Sequence, residues 1–254
     1  GNSLTNTITF QGESGDSSLV TLKYTPYNNI LDYTVNMSNL KGITFTDMSL
    51  GRDEGYTIIQ MNNCESILVT NAAVGVNSWY EPSVQILNNN KAIEISNCNF
   101  NNTTSIRVND FCSEINIFDN LSIYQIGLYG DSINDVLIAN NSVGSVGVYG
   151  GSVSNVLIKD NEINGAVNIN VYESEYYDPV TWSYVYGSPS DSIVLASNII
   201  NSSIGFSVQT YNSTPSINNV IKGNQIYSNS QYISTSNVDS ITGNRMSGAE
   251  NTTG

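Results

Sequence analysis

Residues 131–170 constrain the fold of this chain more than any other stretch. Set as two lines, DSINDVLIANNSVGSVGVYG and GSVSNVLIKDNEINGAVNIN, they nearly repeat each other. Ser132, Val136, Leu137, Ile138 and Asn141 return as Ser152, Val156, Leu157, Ile158 and Asn161. A period of roughly 20 residues is where self-similarity means a solenoid. A unit that short buries its apolar side only by stacking on its neighbours.

The same pattern runs from residue 38 to the end of the chain. Two apolar residues spaced by two are followed by an Asx corner and a third apolar residue, as in Ile43, Phe45 and Leu50 or Val156, Ile158 and Ile163. A further pair follows in most repeats, such as Val84 and Ile86 or Val146 and Val148. Period-two alternation predicts short strands with one buried face. The Gly, Asn, Asp and Ser between them predict turns. The expected fold is all-β, a single parallel β-helix of roughly 9–10 coils with three short strands each. Right-handedness is expected because β crossovers are overwhelmingly so. Residues 1–37 read as an irregular capping coil. Residues 38–248 read as the β-helix, with excursions at 77–83 and 172–189, and 249–254 as a tail.

The corner after the first strand carries Asp47, Asn71, Asn97, Asn120, Asn140 and Asp160, and one position later Asn141, Asn161, Asn198, Asn224 and Asn244. Asn accepts left-handed backbone and bonds local backbone groups, so stacked amides predict an asparagine ladder. The register also places the three cysteines. Cys64 and Cys112 precede the first inward Ile of their coils by three residues, and Asn90 holds that place between them. Two rungs separate the thiols by about 9.6 Å, beyond the roughly 6.8 Å Cα limit of a disulfide. Three free thiols are expected.

Composition narrows the function classes. Charged residues make up 12% of the chain and the formal net charge is -14. That field repels nucleic acid, whose binding rests on Lys and Arg. No apolar run reaches the roughly 18 residues of a membrane span, so membrane insertion is not expected. The chain has no His, which removes His-dependent triads and zinc sites. The eight basic residues are scattered, and no signature carboxylate pair stands out. No catalytic residue is assigned.

The candidate site lies where the repeat breaks. The excursion at 172–189 holds Tyr172, Tyr176, Tyr177, Trp182 and Tyr184 with Glu173, Glu175 and Asp178. It leaves the array at the corner that also carries Tyr129 and Tyr149, and the excursion at 77–83 adds Trp79 and Tyr80. Planar aromatics stack on sugar rings and carboxylates bond sugar hydroxyls, so these residues are candidates for binding a polysaccharide or cell-surface glycan. The competing role is pinning the loop to the barrel. No metal site or cofactor is expected, with Ca²⁺ the one ion the loop carboxylates could hold. Leu137, Leu157, Val194 and Val220 form an outward apolar stripe on successive coils, which predicts a covering segment or self-association.

The segments VLIANNSV, VLIKDNEI and IEISNCNF resemble the Asn-rich right-handed parallel β-helix family with a pectin-lyase-like fold. The opening ITFQGESGDSSLVTLKYTP followed by LKGITFTDMSL is similar to the first coils of secreted β-helix surface proteins of Bacteroidota. The resemblance implies an extracellular or cell-surface module, often adhesive. The His and clustered Arg or Asp motifs of the pectate-lyase and polygalacturonase families are missing. The leading expectation is a non-catalytic surface adhesin or filament module that binds glycans through the aromatic and acidic loop. The alternatives are a polysaccharide lyase or glycoside hydrolase of the phage tail-spike type, and a fibre-forming structural subunit.

Overall fold

The computed structural model describes residues 7–12, 21–24, 33–52, 57–76, 83–210, 216–228 and 233–248. Among them every helix or strand is a strand, and the strands stack in parallel as a β-solenoid of about 8 turns. The first face of each coil belongs to a 10-stranded parallel sheet that runs from Ile8–Gln11 to Ser240–Thr242. The second face opens with Thr21–Tyr24, Ser49–Arg52 and Ala73–Val76. It then merges with the third face in a 13-stranded sheet, because Ile123–Tyr129 and Ser142–Gly151 each run through the corner between them.

The repeat read from sequence is the register of the structure. Val136 pairs with Val156, Leu137 with Leu157 and Ile138 with Ile158. Up the first face, Ile43, Ile67, Ile93, Ile115, Val136, Val156 and Ile193 are in register. All of them are buried. Each rung places β-branched side chains directly over those of the next, which suits a pleated, fully buried surface.

Two columns at the corner explain the Asx residues. In the first, Asp47, Asn71, Asn97, Asp119, Asn140 and Asp160 all have φ between 51° and 56°. This left-handed backbone turns the chain sharply, and Asn and Asp tolerate it better than most L-residues. The second column is buried and is the ladder. Asn120, Asn141, Asn161, Asn198 and Asn224 each donate from Nδ2 to Oδ1 of the next rung's asparagine, at 2.9–3.0 Å, ending on Asn244. The structure moves one residue between columns. Asn120, expected at the left-handed corner, is a ladder residue, and Asp119 takes the corner. The extra residue of that coil falls after the ladder, at Ser122, which is itself left-handed.

Cys64, Asn90 and Cys112 occupy successive rungs, as their neighbours Glu65, Lys91 and Ser113 pair in order. The Cys64 amide donates to Oδ1 of Asn90 at 2.9 Å. All three cysteines are free and buried. Cys98 takes a ladder position, its amide donating to Oδ1 of Asn120. Burial pushes its thiol up to about 12, against the smaller opposing effect of backbone hydrogen bonds at Ala72 and Ser96.

Candidate functional site: an aromatic-walled trough

The third face carries two outward columns that change character half-way along. One runs Gln85, Arg107, Gly127, Gly147, Asn168, Gly205, Ser234, and the other Leu87, Asn109, Tyr129, Tyr149, Asn170, Ser207, Ser236. The glycines make room for the tyrosines. A Cβ on Gly127 would fall 2.2 Å from Cε2 of Tyr129, and one on Gly147 would fall 2.6 Å from Cε2 of Tyr149. Each ring therefore leans across the glycine two residues before it. The two rings stack with centroids 5.6 Å apart and planes 9° from parallel.

Tyr129 covers one face of Tyr149. On the other side lies a depression of about 420 Å³ lined by Tyr149, Asn168, Asn170, Gly205, Ser207, Ser234 and Ser236, among others. Among the described residues that line it, the polar side chains are amides and hydroxyls, and the Tyr149 phenol is the only ionisable one. Burial, then the neighbouring Tyr129, raises the Tyr149 phenol above its ordinary value. The phenol therefore stays a neutral hydrogen-bonding group. A flat aromatic wall over an uncharged amide-and-hydroxyl floor is chemistry suited to a neutral polyol with one apolar ring face.

The excursion starts on the same strand. Val167–Tyr172 supplies Asn168 and Asn170, then Tyr172 pairs with Gly151 and Gln209 at its end. Beyond it Glu175–Asp178 and Ser183–Tyr186 form an antiparallel hairpin. Its base is fixed: the Gly187 amide donates to Ser174 O at 2.7 Å, and Ser152 Oγ bonds Ser174 Oγ at 2.7 Å. Its tip is turned by Asp178, whose carboxylate accepts from the Val180 amide and from Thr181 Oγ1, both at 2.8 Å. Those bonds hold the Asp178 carboxyl below its ordinary value.

Trp182 sits at that tip, 81% exposed, with φ of 51°. Left-handed backbone is uncommon for a bulky residue and marks strain in a turn. The fold thus holds a large aromatic in solvent at a position where Gly or Asn would be more stable. Tyr172 and Tyr184 are also exposed.

The sequence-level candidates divide accordingly. Tyr129 and Tyr149 come together, and Tyr172, Glu175, Trp182 and Tyr184 lie at the surface. Tyr176 and Tyr177 belong to the hairpin strand. Glu173 leaves the candidate surface because it is only 1% exposed, its amide donating to Gln209 O. Both carboxylate oxygens of Asp178 are engaged in the turn. Trp79, Tyr80, most of the 77–83 excursion and the 249–254 tail lie outside the described residues. Among the described residues no three His, Cys, Asp or Glu side chains form a group that could hold a metal ion.

Sequence reasoning missed Asn168, Asn170, Ser207, Ser234 and Ser236. Their signal was present, since outward positions in register with Tyr149 follow from the repeat. It also missed Phe111, an exposed aromatic with φ of 56° whose amide donates to Asp131 O.

The stripe is in register as expected, Leu137, Leu157, Val194 and Val220 lying on successive rungs. All four are half-buried. The excursion's two strands pair with each other as an antiparallel hairpin.

Comparison with protein-family models, with curated proteins and with solved structures gives no match.

Proposed function

We propose that this chain is an extracellular, pectin-lyase-like β-helix module that binds a neutral glycan without cleaving it, within a surface adhesin of the kind its opening coils resemble in Bacteroidota. One observation carries the reading: the open face of Tyr149 walls an uncharged trough of Asn and Ser side chains. A sugar ring packs its apolar face on the phenol ring while Asn168, Asn170 and Ser207 bond its hydroxyls. Trp182 supplies a second aromatic contact for a chain that extends past the trough. The net charge of -14 favours neutral over acidic polymers.

Affinity electrophoresis against a panel of neutral polysaccharides (xyloglucan, mixed-linkage β-glucan, mannan) and acidic ones (polygalacturonate, alginate) tests this. Retardation by a neutral polymer is expected, abolished by Tyr149→Ala and weakened by Asn170→Ala. No retardation by any neutral polymer refutes the reading. Release of reducing ends or of unsaturated product from the same panel would replace the binding module with a hydrolase or lyase.

A further inference from the structure

The aromatic wall of the trough continues beyond Tyr149. Gly151 pairs with Tyr172, two positions past the Tyr149–Asn170 pair and four past the Gly147–Asn168 pair. A Cβ on Gly151 would fall 2.9 Å from Cε2 of Tyr172. The Tyr172 ring therefore reaches back over the strand that carries Tyr149, whose own ring leans over Gly147. Ser142–Gly151 thus bears two rings, one against each of two outward glycines. Two to four residues of strand, about 7–13 Å, separate them. Tyr172 is 37% exposed, and Asn168 and Asn170 are exposed on its own strand.

This layout sets the direction of a bound chain. Along the solenoid axis the trough is walled by Tyr149, and Tyr129 stacks on the far face of that ring. Along the strand the outward positions Asn168, Asn170 and Tyr172 follow one another at about 6.6 Å, the two-residue repeat of a pleated strand. A chain seated against Tyr149 therefore continues along Val167–Tyr172 towards Tyr172, rather than past the tyrosine stack.

We infer that Tyr172 is a further stacking platform of this site, and that the ligand is an extended β-1,4-linked neutral glycan lying along the strands, across the solenoid axis. The inference rests on the glycan reading above. In such a chain the sugar rings are nearly coplanar, and a disaccharide unit covers the distance between the two tyrosine rings. Alternate sugars offer the same face, one to Tyr149 and the other to Tyr172. The amides of Asn168 and Asn170 then meet hydroxyls along the edge of the ribbon. An α-1,4-linked chain curves and reaches one platform only. Asp131 adds a preference of charge. Its Oδ1 accepts from the Gly151 amide at 2.9 Å, so a carboxylate lies beside the Tyr172 platform and disfavours a uronate there.

Calorimetric titration of the full chain with β-1,4-linked manno-, xylo- and cello-oligosaccharides, from disaccharide to hexasaccharide, reads it out beside the α-1,4-linked malto series. Affinity in at least one β-1,4 series is expected to rise about tenfold between the disaccharide and the tetrasaccharide, the scale of one added aromatic contact. The malto series should show no such rise. Tyr172→Ala is expected to bring the tetrasaccharide down to the disaccharide's affinity and to leave the disaccharide unchanged, while Tyr172→Phe keeps the rise. Where Tyr172→Ala loses its β-sheet circular dichroism, Tyr172→Leu takes its place, keeping bulk without a flat face. Tyr149-dependent binding that does not grow with length, that survives Tyr172→Ala at full length dependence, or that is equally tight for the malto series overturns this inference and leaves the glycan reading standing. No binding in any series overturns both.

Discussion

Asn161 Oδ1 accepts two hydrogen bonds from Asn141, one from its backbone amide at 2.9 Å and one from its side-chain Nδ2 at 3.0 Å. Asn161 Nδ2 in turn donates to Asn198 Oδ1 at 2.9 Å and to the carbonyls of Ile138 and Lys159. One buried amide thus satisfies polar groups on three successive rungs. The neighbouring residue at the corner, Asp160, is exposed and contributes its left-handed backbone instead.

Residues of the two adjacent columns should therefore respond differently to truncation. Asn161→Ala orphans several buried donors and acceptors and is expected to cost about 2–4 kcal/mol. Asn140→Ala, at the exposed left-handed corner with φ of 54°, is expected to cost about 1 kcal/mol. Urea unfolding of the two variants measures the difference. Equal losses would contradict the ladder.

The thiol of Cys98 should make stability fall at high pH. Its folded value of about 12 lies above the ordinary 9.0. The unfolded chain therefore loses this proton first as pH rises, and the folded state is favoured less. The contribution is complete below about 9 and is lost progressively towards about 12, at up to about 1.4 kcal/mol per pH unit. Cys98→Ala is expected to show a shallower decline over that window in pH-dependent urea unfolding. In the native state at neutral pH a thiol reagent should leave Cys98 unmodified, and denaturation should release all three thiols.

Gly147 tests how the tyrosine wall is built. In Gly147→Ala the new Cβ meets the far end of the Tyr149 ring, which can swing away, so stability should change by less than about 1 kcal/mol. The ring would leave its stack on Tyr129, lowering the Tyr149 phenol value in an ultraviolet pH titration and weakening glycan retardation. Gly150→Ala should behave otherwise. Its Cβ would fall 1.7 Å from the backbone oxygen of Gly130 at φ of +156°, and a loss beyond about 4 kcal/mol is expected.

Removing the hairpin should leave the barrel intact. Ser174 and Gly187 are already joined by a backbone hydrogen bond, so a deletion of 175–186 closes over a short gap. The two hairpin strands pair with each other, so binding of a hydrophobic dye is expected to stay at the wild-type level. A marked rise would mean that the hairpin shields apolar surface.

Much of this was legible without coordinates. The Ile138 and Ile158 pair, one period apart, encodes strand, inward face and register at once, because a stacked repeat has a single register to choose. The same ruler separated Cys64 from Cys112. It failed where it counted one residue wrongly, assigning Asn120 to the corner that Asp119 holds. Local sequence cannot say on which side of the ladder an inserted residue falls.

The site was less legible. Trp182 and Tyr184 are visible as an aromatic interruption, but the sequence does not say whether such a loop packs or projects. Glu173 and Glu175 are alike in sequence, yet Glu173 is buried and Glu175 exposed. The trough joins Tyr149 to Ser207 and Ser236 across residues far apart in the chain.

By itself the sequence determined the solenoid, the inward columns and the free thiols, since these follow from periodicity and the fixed spacing of stacked strands. The tertiary structure alone decided that the tyrosines lean over Gly127 and Gly147, that the excursion folds as an antiparallel hairpin, and that Glu173 is buried while Glu175 is exposed. Those outcomes depend on which non-repeating groups meet across rungs.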